Sequence, residues 1–341
     1  MSDILRTVAP GRRVFVAALA AGLAASDAAA QSNLPAYRLG QMAARANAGT
    51  VGLIAGGVDG TYIRIAADLA AVLDDGDRLR VIAMIGRGSL QNLADIMALR
   101  GVDLGIVQSD VLAFARRERL FPLLDQLIQY VGKLYDEEVH ILGRRGIGSV
   151  RELAGQEVNV DLRGSGTAMT ASLVFRALGL NIRERNEPQD VALERLRRGE
   201  IAALVFVSGK PSRLFTGIRR EEGLRLLALP PEPALLETYL PARFTEADYP
   251  ALVPPEGTET LAVGAVLAVY GWAPGTERHT KVSRFVHALN ANFERFLQPP
   301  RHPKWRDVNL AATVPGWTRF TPTPLDTSPP YPPPPRESVV R

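Results

Sequence analysis

Four small-residue turns in this chain each lead directly into a segment with helical periodicity. They are Gly56-Gly57-Val58-Asp59-Gly60-Thr61-Tyr62, Gly86-Arg87-Gly88-Ser89-Leu90-Gln91-Asn92, Gln108-Ser109-Asp110 and Arg163-Gly164-Ser165-Gly166-Thr167. Glycine lets a ligand approach the backbone, Ser or Thr caps the helix that follows, and free N–H groups at a helix N-terminus attract anions. In open α/β sheets such turns lie at the carboxyl ends of strands, where ligands bind. A single turn of this kind is most often only a cap. Four of them, spread along the chain, point to a cleft for a small anion.

The chemistry of enzymes finds no matching pattern. Gly209-Lys210 is followed by Pro211, so no phosphate loop ending in Lys-Ser/Thr exists. There is no G-x-S-x-G or H-E-x-x-H sequence, and Gly56–Gly60 departs from the dinucleotide fingerprint. The chain has no cysteine, which excludes disulfides, thiolate metal sites and a cysteine nucleophile. The four histidines, His140, His279, His287 and His302, lack metal-ligand spacing. The expectation is a binding protein without catalysis, metal or cofactor.

Elements that would position these turns alternate. Val51–Gly57, Leu79–Ile85 and Val102–Val107 read as short buried strands. Between and after them, Thr61–Leu73, Ser89–Leu99 and a stretch from Asp110 carry apolar residues at helical spacing. The rhythm restarts with strand Glu157–Val160, helices Gly166–Leu178 and Val191–Arg198, and strand Ile201–Val207. Thr260–Tyr270 reads as buried strand and Lys281–Leu297 as an amphipathic helix. Such alternation predicts an α/β fold with mostly parallel sheets and helices on both faces.

With 341 residues, 46% of them hydrophobic and 22% charged, the chain has enough core for two α/β lobes. Its ends differ from the rest. Arg6, Arg12 and Arg13 precede the apolar run Val14–Ala25 and the small residues Ser26-Asp27-Ala28-Ala29-Ala30. This is the pattern of an export signal, too short to span a membrane and cleaved near Ala30. Gly11-Arg12-Arg13 leaves the Sec and twin-arginine routes both open. The mature chain would carry a net charge of +3 in place of +4, a mild attraction for anions. The patch Arg195-Leu196-Arg197-Arg198 reads as a solvated helix face, and no basic stripe with aromatics suggests nucleic acid. From Thr321 to Arg341, Pro322, Pro324, Pro329, Pro330 and Pro332–Pro335 favour an extended tail.

A run of ordered motifs resembles one family. Gly56-Gly57 through Gly60-Thr61-Tyr62, Gly88-Ser89 with Asn92-Leu93, and Asp103-Leu104-Gly105-Ile106-Val107-Gln108-Ser109-Asp110 are similar to the first lobe of the TAXI solute-binding proteins. Those are the extracytoplasmic receptors of one class of TRAP transporters. The likeness continues through Leu134-Tyr135-Asp136-Glu137-Glu138-Val139-His140, Ile147 to Gly155, Gly164-Ser165-Gly166-Thr167 and Leu196 to Ala203. It is strong from Val51 to Arg213 and looser to Leu297.

The resemblance implies a two-lobed periplasmic binding protein of type II, hinged like a trap. Lobe I would comprise residues 36–140 and 255–300, lobe II residues 141–254, and a C-terminal extension residues 301–341. Leu127–His140 would carry the chain into the second lobe and Ala242–Glu259 would carry it back. The implied ligand is a small anionic or zwitterionic organic molecule, glutamate-like or a dicarboxylate, passed to TRAP-type permease subunits in the membrane. A sensor subunit of the same fold, signalling to a membrane receptor, is the alternative. The matching positions put Thr61, Tyr62, Ser89, Asn92, Gln108 and Asp110 on one wall of the cleft. Ser165, Gly166 and Thr167 would face them. Ser89 and Thr167 would hold a carboxylate, while Gln108 or Asp110 would receive an ammonium. Arg87 and Arg163 depart from the family pattern, and a guanidinium at either place would select an acidic ligand through paired hydrogen bonds.

Overall fold

The computed structural model describes residues 39–44, 47–76 and 78–324. The expected signal peptide and the tail beyond Pro324 lie outside these residues. The chain divides after Gly49 into two units, and the fold below is that of the second, from Thr50 onward.

Ten strands form one sheet among the described residues. In chain order they are β1 (Thr50–Ile54), β2 (Arg80–Met84), β3 (Leu104–Gln108), β4 (Ile128–Gly143), β5 (Glu157–Asn159), β6 (Arg183–Arg185), β7 (Ala203–Ser208), β8 (Arg225–Leu226), β9 (Leu240–Phe244) and β10 (Thr258–Tyr270). Their order is β2-β1-β3-β10-β4-β7-β5-β6, with β8 against β4 and β9 against β10. The helices longer than one turn are α1 (Thr61–Leu73), α2 (Ser89–Ala98), α3 (Val111–Arg117), α4 (Gly166–Ala177), α5 (Gln189–Arg197) and α6 (Glu277–Ala291).

The sheet is mixed, where the sequence predicts mostly parallel pairing. β1 runs parallel to β2 and β3, and β5 runs parallel to β6 and β7, as β-α-β crossovers require. The two long strands differ: β4 and β10 are antiparallel to every strand they touch. Late in the chain, β10 inserts between β3 and β4. Apolar patterning marks both segments as buried strands but carries no information on direction. Leu127–His140, expected as a connection, lies almost wholly in β4.

Both long strands pass from one apolar core into another. On β4, Val131, Leu134 and Tyr135 pack with Leu53, Ile65 and Leu69, whereas Val139 and Ile141 pack with Val158, Val174 and Val205. On β10, Ala265 and Leu267 join the first core, and Leu261 and Val263 join the second. The change of partners falls at Asp136–Glu138 on β4 and at Gly264 on β10, where the pairing register between the two strands shifts. A register shift there bends the ladder at the junction.

Helix α1 shows how sequence sets this packing. Ile65, Ala66, Leu69, Val72 and Leu73 recur at three- and four-residue steps and are buried. They meet Val282, Phe285 and Leu289 of α6 in the same core. The helix expected to run to Leu297 stops at Ala291, and a separate turn follows at Phe293–Phe296. The chain after it is tied in as far as Thr323, whose N–H donates to Ser283 Oγ at 3.1 Å. Trp305 is fully buried, and its Nε1 donates to Asp68 Oδ2 at 2.8 Å, which also accepts the His302 N–H at 2.8 Å. Phe320 donates its N–H to the Tyr130 carbonyl at 2.8 Å.

Candidate functional site

The junction between the two cores opens into a chamber built from strand ends and helix starts. Thr61 and Tyr62 open α1, Ser89 opens α2, Gln108 closes β3, and Ser165 caps α4 ahead of Gly166 and Thr167. All seven line a chamber of about 50 Å³, together with Glu137 of β4, Phe206 and Val207 of β7, Arg87 and Asp161. Gly57, Gly60, Arg87, Asp161 and Phe206 also border a wider outer cleft of about 680 Å³. The two spaces therefore adjoin one another across these residues.

Three helix N-termini converge on this chamber. The N-caps of α1 and α2 are Gly60 and Gly88, which supply no capping side chain. Their first-turn N–H groups are thus left without a side-chain acceptor, an arrangement that favours a negative group. At α4, Ser165 Oγ accepts the Ala168 N–H at 3.0 Å. A side chain at position 166 would have to displace the opposite wall. A Cβ there would stand 2.5 Å from Ser89 Oγ and still closer to Gln108 Oε1, so the start of α4 packs directly onto the opposite wall.

The polar side chains are largely fixed by one another. Ser89 Oγ accepts the Gln108 N–H at 2.9 Å and donates to Gln108 Oε1 at 3.1 Å. Thr167 Oγ1 accepts the Val207 N–H at 3.0 Å. Thr61 Oγ1 lies 3.0 Å from Ser208 Oγ and donates to the Gly209 carbonyl at 3.3 Å. Near the rim, the Gln91 N–H reaches the Gly164 carbonyl at 3.0 Å. The last two contacts join the β1–β3 side of the chamber to the β5–β7 side.

Glu137 supplies a buried carboxyl that the turns do not. Tyr62 Oη donates to its Oε2 at 2.6 Å, and the residue is 2% exposed. Burial raises its pKa well above the usual carboxylate range, and the neighbouring Glu138 adds to the rise. The Tyr62 hydrogen bond and the Lys304 ammonium oppose it. Burial likewise lifts the Tyr62 phenol well above 10. Alternation along β4 sends the next residue to the other face. There Glu138 Oε1 pairs with the buried Lys304 Nζ at 2.8 Å, and Oε2 accepts the Lys210 N–H at 2.9 Å. Asp161, at the neck between chamber and cleft, holds φ at 69°, a left-handed conformation rare for a residue with a side chain. Burial raises its carboxyl pKa to about 6.

Of the eleven residues singled out in the sequence, eight border the chamber: Thr61, Tyr62, Arg87, Ser89, Gln108, Ser165, Gly166 and Thr167. Three do not. Asn92 is fully buried, with Nδ2 donating to the Ala55 and Ile106 carbonyls at 2.7 and 2.8 Å and Oδ1 accepting the Gly88 N–H at 3.2 Å. It ties the strand ends to the turn. Asp110 precedes α3 without capping it and accepts the Tyr239 hydroxyl at 3.2 Å. Arg163 turns outward to Asn186 Oδ1 at 3.3 Å. Glu137, Asp161 and Phe206 escaped sequence reasoning. For Glu137 there was a signal: two adjacent glutamates inside an apolar strand, one of which must face the interior on each side.

Residues 53–274, well over half of the chain, match the NMT1-like family. The chain belongs to the NMT1-like family. Among solved structures it is similar to MatC from Rhodopseudomonas palustris with bound malate, at 18% identity and TM-score 0.50, over 76% of this chain and 90% of that one. It is also similar to the alkanesulfonate-binding protein SsuA from Xanthomonas axonopodis pv. citri bound to MOPS, at 16% identity and TM-score 0.48, over 75% and 76%. The NMT1-like chain thus has the mixed α/β fold of type II periplasmic binding proteins, with the chamber where two of its apolar cores meet. No described helix is long and apolar enough to cross a membrane.

Proposed function

We propose that this chain is an exported solute-binding protein that takes a small zwitterionic carboxylate of amino-acid type and delivers it to a TRAP-type permease. One observation carries the ligand class. The chamber sets a buried carboxyl, Glu137, against the N-terminal turns of α1, α2 and α4. A cationic group suits the first and a carboxylate the second. A dicarboxylate would satisfy the helix turns but bring a second negative charge toward Glu137 and Asp161.

Trap-like closure fits the same geometry. Residues 36–140 with 255–300 form one lobe on this reading, residues 141–254 the other, and β4 and β10 are the hinge. Ligand reaching both walls would favour the closed form by binding it preferentially. The permease partner rests on the TAXI resemblance, and export rests on the N-terminal sequence. The malate held by MatC supports an organic carboxylate as cargo.

Isothermal titration of the purified chain, unfolded and refolded to strip carried ligand, tests the reading. Amino acids, monocarboxylates and dicarboxylates form the panel. The expected result is micromolar binding of an amino acid, weakened at least tenfold by Glu137→Gln. Binding of dicarboxylates alone, unaffected by Glu137→Gln, refutes the zwitterion, and silence across the panel refutes the transport role. Uptake of the bound compound should then require both this chain and the permease in cells.

A further inference from the structure

The chamber, about 50 Å³, has room for no more than a ligand's head group, and the outer cleft beside it has its own chemistry. Val58, Ile85 and Leu99 are 64%, 62% and 51% exposed, among the most exposed large apolar side chains described. All three line this one cleft, as do Leu162 and Phe206 from the opposite side. Large apolar side chains left open to water singly are ordinary. Three of them on one wall of a concave site leading to a polar chamber are the composition of a binding pocket. The cleft's volume, about 680 Å³, lies within the range of pockets for drug-sized ligands.

The charged groups of the cleft argue in the same direction. Its ionisable side chains are Asp59, Asp95, Asp161 and Asp190, against Arg87 alone. A second carboxylate on the ligand would face four carboxyl groups and one guanidinium. An uncharged hydrocarbon substituent meets no such opposition and covers the exposed wall.

We infer that the ligand is amphipathic: an amino-acid head in the chamber and an unbranched or aromatic apolar substituent lying along Val58, Ile85 and Leu99 in the outer cleft. This rests on the proposed zwitterion reading and narrows it away from glutamate-like cargo. The substituent passes the neck between Arg87 and Asp161 and packs against Phe206, which borders both spaces.

A homologous series decides it. L-alanine, L-2-aminobutyrate, L-norvaline and L-norleucine are titrated into the refolded chain, with L-glutamate as comparator. Each buried methylene should tighten binding about fourfold, and L-glutamate should bind more weakly than L-norvaline. The double variant Ile85→Ser/Leu99→Ser changes only exposed positions. It should flatten the dependence on chain length while leaving the affinity for L-alanine within twofold. Binding of L-alanine with no gain along the series, or preference for L-glutamate, overturns the apolar cleft and leaves the amino-acid reading standing. If no member of the series binds, the zwitterion reading fails and this inference fails with it.

Discussion

The Asp110 carboxyl is buried beside the Tyr239 hydroxyl, so its ionisation should make stability depend on pH. Oδ2 accepts the Tyr239 hydroxyl at 3.2 Å, while Oδ1 is buried with no partner. Burial raises the pKa from 3.8 to about 6, against the hydrogen bond from Tyr239. For a carboxyl whose folded pKa lies above its unfolded value, the folded state is favoured while the group is protonated. That contribution is complete below pH 3.8, declines as pH rises to about 6, and is absent beyond. A change from 3.8 to about 6 corresponds to about 3 kcal/mol between the two protonation states. Asp110→Asn copies the protonated acid at every pH. Its stability should equal that of wild type at pH 4 and exceed it by about 2–3 kcal/mol at pH 7.5. In thermal melts this amounts to about 5–10 °C for a domain of this size. Urea denaturation of both proteins from pH 4 to 8 gives the difference curve, which should rise between pH 4 and 6 and then level. A difference independent of pH, or a variant less stable at pH 7.5, refutes the account of Asp110. Tyr239→Phe removes the donor and should cost more at pH 7.5 than at pH 4.

The buried Lys304–Glu138 pair offers a second test. Lys304→Met leaves the Glu138 carboxylate buried without its partner and should cost about 3–5 kcal/mol in urea denaturation at pH 7.5. Adding Glu138→Gln should recover most of that loss, and a double variant no better than the single would refute the pairing. Gly166→Ala puts a methyl group against Ser89 and Gln108. It should weaken ligand binding at least tenfold while changing Tm in the absence of ligand by only a few degrees, because α4 can withdraw from the opposite wall. Unchanged affinity would refute the close approach.

The starts of the helices that bound the chamber were legible in the sequence. Thr61, Ser89 and Gly166 each follow a small-residue turn and begin a run of apolar residues at helical spacing. Local chemistry fixes such positions, so local reading finds them. What escaped depends on distant chain. The insertion of β10 between β3 and β4 joins residues more than a hundred positions apart, and hydrophobicity is silent on strand direction. Asn92 lies on the same first turn as Ser89, yet its side chain turns back into the strand ends. Residue type placed it near the site, and only packing shows that its hydrogen bonds are spent there. The burial of Asp110 escaped for the same reason, since its partner Tyr239 is 129 residues away.

The position of Glu137 connects these features. It lies where β4 leaves one core for another, so on the proposed reading a ligand held by its carboxyl is held at the hinge, and a carboxylate on α4 engages the far wall. Without ligand, the described contacts near the chamber that bridge the walls include the Thr61–Ser208 and Gln91–Gly164 hydrogen bonds. Neutral hydrogen bonds of this type contribute about 0.5–1.5 kcal/mol each. Driving a hinge from 1:99 to 99:1 takes about 5.5 kcal/mol. On the proposed reading, a ligand that spans Glu137 and the α4 turn supplies the difference. A molecule bearing only one of the two charged groups would bind one wall and leave the equilibrium nearly where it began. Selection for a zwitterion and closure of the trap then follow from one geometry: one complementary group stands at the joint that must bend and the other on the wall beyond it.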